Sequence, residues 1–574
     1  MMKNKGIAEV FSQIADLLEI MGEQPFRVNS YRRASRTLET LTQDVAELAA
    51  AKTLTELQGI GKSTAAKIEE YLTTGSVSLH SELQESVPAG LPLLLNIPGL
   101  GPKRIAQAWK ELGVENLNDL KKAISDGRLL ALKGFGEKLT AQIVRGIEFA
   151  EKSTGRTPLG LALPLAEELA EAMRAVPAVR RAEVTGSVRR GKETIGDIDV
   201  LCEADDGSAV VKAFTALPQV KRVLASGSTK GCIIVDRRDG IEIQVDCRAV
   251  PAESFGAALQ YFTGSKEHNI RLREIALKKK WKLNEWGLFD GEEFIAGRDE
   301  AEIYDRLGLS LIPPELREDN GEFETDAMKP LIEPGDIRSD LHLHTTASDG
   351  TSDAPTMAQA ASERGHEYIA VTDHSKSSTV ANGLSIDRMW RHIEKLRELN
   401  KDLKTITVLV GCECDILADG KLDYPDQLLA ACDIVVASVH SGMNQGKEKL
   451  TARVLEAMEN PYVNVLGHPS GRLLNRREPM DLDMAAVIAQ ATRTQTAMEL
   501  NASWQRLDLN DRHLRMATDA GALISIGTDA HSIRQLDQMR YGVITARRGW
   551  LQAKDVLNTQ PLPSVRKWLA RKRR

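Results

Sequence analysis

The chain has 574 residues, of which 27% are charged, and its formal net charge is −6. This length exceeds what a single hydrophobic core supports, so it excludes a one-core protein and predicts about four domains. The charge balance neither favours nor excludes a nucleic-acid-binding protein, because such a protein needs only local basic surface.

The six cysteines form no Cys-x-x-Cys pair, and most of them lie in apolar runs. A free cysteine in such a run behaves as a small hydrophobic residue, so we expect a reducing, cytoplasmic location. No run approaches the ~18 apolar residues of a membrane span, and no signal-peptide pattern opens the chain, so no membrane partner is expected. No feature predicts an oligomer, and a monomer is expected.

Three Gly-x-Gly turns mark the N-terminal part of the chain, each with a lysine close behind and a helical pattern after it. Glycines at such a turn let backbone N–H groups at a helix N-terminus approach a DNA phosphate. One copy is weak evidence, but three copies favour sequence-independent binding to the DNA backbone. The pattern is a helix-hairpin-helix motif, and the residues predicted to contact the backbone are Gly59, Gly61, Gly99, Gly101, Gly134 and Gly136. We predict a helical DNA-binding domain over residues 1–85 and a second helical domain, with two of the motifs, over residues 86–156.

The stretch Thr185–Asp199, TGSVRRGKETIGDID, carries the first candidate catalytic residues. Gly186 and Ser187 form a turn whose backbone N–H groups and hydroxyl suit a phosphate. Arg189 and Arg190 follow with guanidinium groups that match phosphate oxygens. The stretch therefore predicts a site for a phosphorylated substrate.

Three carboxylates extend this site. Asp197 and Asp199 alternate along a predicted strand, so both point to one face, where they can hold Mg²⁺ against a triphosphate. Asp246 ends the alternating run IEIQVD and would complete a two-metal site if that strand pairs beside the first. An isolated Asp-x-Asp is more often a polar strand end, but the phosphate turn and Gly196 favour the metal site.

The stretch GSVRRGKETIGDID resembles the palm motif of family X DNA polymerases, and the resemblance continues in YFTGS, Tyr261–Ser265. It implies that Asp197, Asp199 and Asp246 are catalytic and bind Mg²⁺ or Mn²⁺, with gapped or nicked DNA and dNTPs as partners. The nucleotide-binding residues that it implies are Arg156, Gly186, Ser187, Arg190, Gly196, Tyr261, Phe262, Gly264, Asn269 and Arg273. Two positions depart from the animal enzyme: Lys266 replaces an Asp, and Gln244 replaces an Arg.

The same resemblance suggests a further activity for the first domain. Lys67, in AAKIEEYL, matches the segment that holds the Schiff-base lysine of the family's deoxyribose-phosphate lyase domain. A helix lysine near DNA is more often a phosphate contact, and Ser63 and Phe26 replace a Lys and a His of the animal lyase domain.

Three further segments follow. Residues 157–250 alternate helix and strand patterns and predict a nucleotidyltransferase palm. Residues 251–318 contain a basic helix and a short β segment with an Asp-Gly hairpin turn, which predicts a thumb. Residues 319–337 belong to a Pro-rich, acidic and aperiodic stretch and predict a linker.

In residues 338–574 about seven short apolar strands alternate with helices, a pattern that predicts a barrel with its site at the C-terminal strand ends. The ionisable residues fall at those ends. A single histidine there is more often structural, but nine imidazoles and carboxylates at the same end of successive strands indicate a metal cluster. They are His342, His344, Asp349, His374, Glu413, His440, His468, Asp529 and His531.

This set resembles the PHP (polymerase and histidinol phosphatase) phosphoesterase domain. The resemblance implies up to three ions, Mn²⁺ or Zn²⁺. His342, His344, Glu413 and Asp529 would hold the first; Glu413, His440 and His468 the second; and Asp349, His374 and His531 the third. Arg472, Arg476 and Arg477 could bind substrate phosphate, although loop arginines are usually solvated.

The predicted fold class is multidomain α+β and α/β: a helical helix-hairpin-helix region, a nucleotidyltransferase palm with thumb, and a C-terminal distorted (β/α)7 PHP barrel. The predicted function is a DNA-directed DNA polymerase that fills short gaps in repair. A metal-dependent 3′-5′ exonuclease would lie in the barrel, with abasic-site endonuclease or 3′-phosphatase activity left open. The alternatives are a barrel that acts as a small-molecule phosphatase or a structural module, and a DNA-end-binding scaffold with weak catalytic sites.

Overall fold

The computed structural model describes residues 4–41, 44–57, 59–97, 100–137, 139–141, 143–144, 147, 156–237, 240–324 and 329–571. These residues divide into two compact units: the first contains residues 4–147 and 475–477, and the second contains residues 156–474 and 478–571. Among the described residues, no helix has the length and apolar character that crossing a membrane requires. All six cysteines are buried and free.

The first unit is helical. Its core contains Ile7, Phe11 and Ile14 from the first helix, with Tyr31 and Leu38 from the second. Each Gly-x-Gly turn precedes a helix wherever the following residues are described. The helices are Asn4–Met21, Pro25–Thr40, Val45–Ala50, Lys62–Thr74, Ser78–Ser86, Pro102–Leu112, Leu117–Ser125 and Arg128–Ala131.

The palm is a five-stranded sheet with helices Leu159–Arg174, Gly186–Arg189 and Gly207–Thr215. The short strands β1 (Thr157–Pro158) and β3 (Thr194–Ile195) pair separately. The sheet comprises β2 (Arg181–Val184), β4 (Ile198–Glu203), β5 (Val220–Ser226), β6 (Lys230–Asp236) and β7 (Glu242–Val250), in the order β2-β4-β7-β6-β5. Within it β4 and β7 are parallel neighbours, which is the pairing that the predicted carboxylate site requires.

The thumb comprises helices Phe255–Thr263, Lys266–Lys278 and Glu300–Leu307 and the antiparallel strands β8 (Trp281–Asn284), β9 (Gly287–Asp290) and β10 (Glu293–Ala296). Leu272, Ala276, Ile303 and Tyr304 are buried in its core.

The segment with linker composition is packed against both of its neighbours. Glu322 is buried and accepts a hydrogen bond of 2.7 Å from the thumb residue His268. The Ile332 N–H donates to the Leu551 carbonyl in the barrel at 2.9 Å. Aperiodic composition did not reveal this packing, because the contacts come from individual side chains and not from a repeating pattern.

The C-terminal domain is a parallel barrel of seven strands in sequential order. They are β11 (Ser339–Leu343), β12 (Tyr368–Val371), β13 (Thr407–Asp415), β14 (Ile434–Ser438), β15 (Val465–Leu466), β16 (Ala497–Asn501) and β17 (Ile524–Gly527). Hydrogen bonds from Asp529 N–H to the His342 carbonyl and from His344 N–H to the Ala530 carbonyl join the two ends of the sheet. The helices are Ala354–Glu363, Ile386–Asp402, Asp426–Ala431, Lys447–Glu459, Met484–Thr494, Asp511–Asp519, Met539–Arg548 and Leu562–Leu569. The predicted fold class is confirmed by this architecture and by the family matches given below.

Palm and barrel share a hydrophobic core. Leu507, Trp504 and Tyr541 of the barrel pack with the palm helix Leu159–Arg174 and its neighbours. Gly160 is required at this contact, because a Cβ there would lie 2.3 Å from the Trp504 side chain. The two predicted centres are therefore carried by domains that pack as one unit.

Candidate active sites

The palm carboxylates meet at the edge of two adjacent strands. In the register of β4 and β7, Asp199 lies directly beside Asp246, and Asp197 precedes β4 by one residue. Gly186 lies against this pair, because a Cβ added there would be 2.4 Å from Asp199 Oδ2. The structure therefore brings together the three carboxylates that the sequence selects, with the phosphate turn beside them.

The negative charges of this site repel one another. Burial, followed by the Asp197 and Asp246 carboxylates, raises the pKa of Asp199 to about 7. Burial also acts to raise the pKa of Asp246, but hydrogen bonds from Cys232, Lys230 and Gln244 outweigh it and leave this pKa below its ordinary value. The Lys230 ammonium lies 2.6 Å from Asp246 Oδ2. An all-oxygen donor set in which three carboxylates stand against one ion-paired ammonium fits Mg²⁺ or Mn²⁺.

The two arginines of the phosphate turn already have partners. Arg190 donates to Glu318 Oε1 at 3.0 Å and to the Thr263 carbonyl at 2.7 Å. Arg189 forms a two-point ion pair with Glu300, at 2.8 and 2.7 Å. Arg189 therefore ties the palm to the thumb. Arg190 remains a candidate for nucleotide binding that would exchange Glu318 for phosphate.

Three further candidates for nucleotide binding, Ser187, Arg156 and Gly196, belong to the palm. Ser187 is half-buried in the helix Gly186–Arg189. Arg156 donates to the Thr194 hydroxyl at 2.9 Å, and its Nη1 lies 3.6 Å from where a Cβ at Gly196 would be. A Cβ at Gly196 would therefore meet the Arg156 guanidinium at an ordinary van der Waals distance.

Asn269 organises the YFTGS segment. Its side-chain amide donates to the Tyr261 carbonyl at 2.7 Å and to the Gly264 carbonyl at 3.2 Å. A Cβ at Gly264 would lie 2.5 Å from Asn269 Oδ1, so only glycine fits this turn. The Phe262 ring lies edge-on to Tyr261 and beneath the Arg248 guanidinium. Arg273, on the helix Lys266–Lys278, is exposed. Asn269 therefore holds the segment in shape, and the predicted contacts to DNA stay predictions.

The helix-hairpin-helix turns present open backbone. A Cβ added at Gly61, Gly101, Gly134 or Gly136 would meet no atom within 4 Å. Gly59 and Gly134 have φ values of +89° and +91°, a region that favours glycine. The prediction for Gly99 lies outside the described residues. Lys67 is half-buried on the helix Lys62–Thr74, and its role as a lyase nucleophile stays a prediction.

Glu413 lies at the centre of the nine ionisable residues in the barrel. Its carboxylate oxygens lie 2.8 Å from His374 Nδ1, 3.0 Å from His468 Nε2 and 3.3 Å from His440 Nε2. His344 Nε2 lies 3.1 Å from Asp529 Oδ1, and His531 Nε2 lies 3.3 Å from Asp349 Oδ1. The structure therefore gathers all nine predicted ligands at one end of the barrel.

Three groups of these ligand atoms are compact enough to hold an ion, with every atom within 4.8 Å of the others. The groups are His342, His344 and Asp529; His374, Glu413 and His440; and His344, Asp349, His374 and His531. The predicted assignment of ligands to ions differs from these groups in detail. It gave His344 to the first ion only and His374 to the third ion only, whereas each of these histidines belongs to two of the groups. The imidazoles are closely packed where the groups share ligands: the ring centroid of His344 lies 4.2 Å from that of His374 and 4.2 Å from that of His531.

The donor set fits metal ions. His342 Nε2 is buried and makes no hydrogen bond to any residue that the structure describes. Its nearest acceptors, Glu413 Oε1 and Asp529 Oδ1, lie 3.6 and 3.8 Å away, a spacing that leaves room for a shared cation. Imidazole with carboxylate suits Mn²⁺ or Zn²⁺.

Charge compensation within the barrel cluster is nearly complete. Burial acts against the charged forms, but neighbouring imidazoles hold the pKa of Glu413 and of Asp529 well below the ordinary values. The reverse holds for His440, where Glu413 and Asp415 outweigh burial and raise the pKa to about 10. Burial and the nearby charges of His531 and His374 lower the pKa of His344 to about 4.

A second layer of carboxylates orients the ligands, and sequence reasoning missed it. Glu499 lies 2.6 Å from His342 Nδ1 and accepts the His468 N–H at 2.5 Å. Asp415 lies 2.5 Å from His440 Nδ1. Such partners fix the orientation of ligating imidazoles. Asp415 ends the strand Thr407–Asp415, which is a signal that could have found it, whereas Glu499 lies in the middle of the strand Ala497–Asn501.

Two arginines of the barrel differ from what the sequence predicts. Arg506 Nε lies 3.5 Å from Asp529 Oδ2, and its Nη1 is buried with no hydrogen-bond partner among the described residues, yet sequence reasoning did not select it. Arg472, a predicted phosphate contact, instead pairs with the palm residue Glu193 at 2.7 Å. Its present role is at the interface between palm and barrel.

Comparison with known proteins agrees with this geometry. Family models match residues 2–77 (helix-hairpin-helix domain), 91–148 (SAM-like helix-hairpin-helix tandem), 258–318 (DNA polymerase beta thumb) and 340–503 (PHP domain). Fold and sites together define a DNA polymerase of the beta type joined to a PHP domain.

Three relatives narrow this class. The chain is 40% identical to the DNA polymerase/3′-5′ exonuclease PolX of Bacillus subtilis, over 99% of this chain and 100% of that protein. It is 27% identical to DNA polymerase lambda of Rattus norvegicus, over 55% of this chain and 56% of that protein. It is 29% identical to a probable phosphatase of Syntrophotalea carbinolica, over 38% of this chain and 90% of that protein. The chain belongs to the bacterial PolX family of family X DNA polymerases.

Proposed function

We propose that the chain is a DNA-directed DNA polymerase that fills short gaps in DNA repair and that carries a metal-dependent 3′-5′ exonuclease in its PHP barrel. The observation that carries the polymerase assignment is the register of Asp199 beside Asp246, with Asp197 and the Gly186 turn adjacent. The near full-length similarity to a DNA polymerase/3′-5′ exonuclease supports both activities.

In the palm, Asp197, Asp199 and Asp246 would hold Mg²⁺ or Mn²⁺. Such ions neutralise the charge that develops during phosphoryl transfer and align the attacking and leaving oxygens. Ser187, the Gly186 backbone and Arg190 would bind the triphosphate of the dNTP. Helix-hairpin-helix turns would bind the DNA on either side of a gap through its backbone.

In the barrel, the nine ligands would hold up to three ions, Mn²⁺ or Zn²⁺. Bound there, the ions would supply a nucleophile at neutral pH and a Lewis acid for the phosphodiester. Glu499 and Asp415 keep His342 and His440 oriented for this task. Arg506 is placed to bind a substrate phosphate oxygen beside Asp529.

The test uses purified full-length protein, Mn²⁺ and a gapped duplex whose primer is labelled at its 5′ end. With dNTPs the primer should lengthen to the end of the gap, and without them it should shorten one nucleotide at a time. A 3′-end label on the same primer should then appear first as a mononucleotide. A primer that never lengthens would contradict the polymerase assignment. Release of the 3′-end label first in an oligonucleotide, and not in a mononucleotide, would contradict the 3′-5′ exonuclease.

A second candidate for the barrel is phosphomonoester hydrolysis, which the similarity to probable phosphatases favours. Under this alternative, p-nitrophenyl phosphate is hydrolysed at a rate that exceeds that of 3′ shortening and that does not depend on DNA. Lyase activity at Lys67 is a separate proposal. Borohydride trapping of a covalent complex with a 5′-deoxyribose-phosphate end, lost in Lys67→Ala, would test it.

A further inference from the structure

A cavity of about 270 Å³ lies beside the loop that carries the metal ligand Asp349. Three cationic side chains of the helix Ile386–Asp402 line it, Arg388, Arg391 and Lys395. Their spacing of three, four and seven residues places them on one face of the helix. The loop segment Thr346–Ala347, which is separated from His344 only by Thr345, also lines the cavity.

These three cations have no anionic partner among the residues that the structure describes. Arg388 donates to carbonyl oxygens of Ala347 at 2.6 Å and Gly383 at 3.3 Å, and to Asn382, all of them neutral acceptors. Arg391 donates only to a carbonyl of its own helix, at 3.3 Å. Among the described residues, no carboxylate forms an ion pair with Arg388, Arg391 or Lys395.

This lack of pairing distinguishes the cavity from three arginine sites that lie near the two candidate centres. Arg189, Arg190 and Arg472 each pair with a glutamate. Grouped cations without carboxylates repel one another, and a bound anion would remove that cost. The cavity is therefore built for an external anion.

The cavity is connected to the metal cluster through the Asp349 loop. His392, which also lines the cavity, lies 2.9 Å from Asp373 Oδ2. The other oxygen of Asp373 accepts the backbone N–H groups of Thr345 at 2.9 Å and Ser348 at 3.2 Å. Asp373 also immediately precedes the ligand His374. An anion held in the cavity would thus lie next to the loop that leads into the cluster.

We propose that this cavity is a phosphate subsite of the barrel, which binds a backbone phosphate of the DNA strand whose 3′ end enters the metal cluster. The inference rests on the proposed exonuclease function and adds the residues that hold the strand. Guanidinium groups match phosphate oxygens in two-point geometry, and Lys395 adds a point charge. A strand held here gains affinity that a small phosphodiester cannot gain, because such a substrate does not reach from the cluster into the cavity.

The test compares two substrates in the full-length protein with Mn²⁺: a 5′-labelled single-stranded oligonucleotide and bis(p-nitrophenyl) phosphate. The variant is Arg391→Gln/Lys395→Gln, which leaves Arg388 and its contacts to the loop in place. The matched control is Arg397→Gln/Lys401→Gln, with the same charge change on another face of the same helix, where Arg397 donates to the Ala431 carbonyl.

The expected result for the test variant is a fall of about tenfold in kcat/KM for the oligonucleotide relative to kcat/KM for the diester. The slope of log(kcat/KM) against log salt should also become shallower by about one to two, because one or two phosphate contacts are lost. The control should match wild type in both measurements.

Three results would overturn the proposal. One is a test variant that equals the control on the oligonucleotide. Another is a test variant that shortens the oligonucleotide at the wild-type rate but is no longer inhibited by a deoxynucleoside monophosphate or by inorganic phosphate. This result would show that the cavity binds the released product and not the DNA strand. The third is a wild-type chain that hydrolyses the diester but never shortens the oligonucleotide, which would contradict the proposed exonuclease itself.

Discussion

The two candidate centres differ in the charge and the burial of their ligands. In the palm, three carboxylates from two strands stand together, and Asp197 is exposed. In the barrel, imidazoles outnumber carboxylates at the ends of six of the seven strands, and ligands such as His342, His344 and Glu413 are almost completely buried. In the palm, burial and then the neighbouring carboxylates raise the pKa of Asp199, whereas the barrel cluster pairs opposite charges.

This difference indicates how each centre would acquire its ions. A half-exposed set of like charges is suited to ions that arrive with a negatively charged triphosphate and leave with the product. A buried mixed set, oriented by Glu499 and Asp415, is suited to resident ions. Disabling either set should therefore leave the other intact.

The largest expected effect is on the palm. Asp199→Asn should slow gap filling by about three orders of magnitude or more, because a metal-held charge worth several kcal/mol is lost. Exonuclease activity should stay at the wild-type rate. Asp205→Asn is the control, since Asp205 is exposed and pairs only with surface arginine Arg180. Gap filling by Asp199→Asn at the wild-type rate would refute the palm assignment.

An effect of similar size is expected in the barrel. Glu413 contacts three imidazoles. Glu413→Gln should therefore lower the rate of 3′ shortening by about three orders of magnitude, and it should also lower the number of tightly bound Mn²⁺ or Zn²⁺ ions. Metal content by mass spectrometry and primer shortening provide the two readouts. Glu448→Gln, on an exposed position of the helix Lys447–Glu459, should change neither. Full ion content in Glu413→Gln would contradict the ligand assignment.

These two predictions use residues that the sequence itself selects. His342, Glu413 and Asp529 could be found because strand periodicity places them at strand ends, and Asp199 and Asp246 because both alternate in short apolar runs. Glu499 could not be separated from an ordinary polar residue within a strand, since its role depends on where His342 Nδ1 points. Chain order gives no information about such contacts across the barrel.

Long-range charge pairs account for most of the remaining differences. Glu318 is the last residue of the predicted thumb, yet it pairs with Arg190 of the palm and with Arg548 of the barrel. Arg472 reads as a substrate contact, yet it pairs with Glu193. These pairs join residues more than a hundred positions apart, and no periodic pattern encodes them.

A smaller effect is expected where palm and barrel meet. The Arg548 side chain is 6% exposed, pairs with Glu318 at 3.2 Å and Asp511 at 2.7 Å, and donates to the Arg190 carbonyl at 2.8 Å. Arg548→Ala removes the buried partner of Asp511 and one of the arginine partners of Glu318, which keeps Arg190, so the free energy of unfolding should fall by about 3 kcal/mol. Arg540→Ala, which breaks an exposed pair with Glu167, should cost less than about 1 kcal/mol. Chemical denaturation measures both, and equal costs would contradict a buried interface role for Arg548.

The smallest expected effect depends on pH. Burial would raise the pKa of Glu300, but Arg189 and Arg317 outweigh it and hold this pKa below the ordinary value. A depressed folded-state pKa stabilises the protein above the unfolded-state pKa of about 4.3, and this stability is lost as pH falls through the folded-state value. Glu300→Gln should therefore lower Tm at pH 7, and the difference from wild type should shrink below about pH 4.

The matched control for Glu300 is Glu302→Gln, an exposed position on the same helix, which should leave Tm unchanged at both pH values. A Tm difference between wild type and Glu300→Gln that stays constant from pH 7 to pH 4 would show that the ion pairs with Arg189 and Arg317 do not stabilise the fold.

The most direct test of two independent centres crosses the two disabling substitutions. Wild type, Asp199→Asn, Glu413→Gln and the double variant are assayed on one gapped substrate with a 5′-labelled primer, for lengthening with dNTPs and for shortening without them. We predict that each single variant loses one activity and keeps the other near the wild-type rate, and that the double variant loses both. Loss of both activities in either single variant would contradict separate centres and would indicate one shared site.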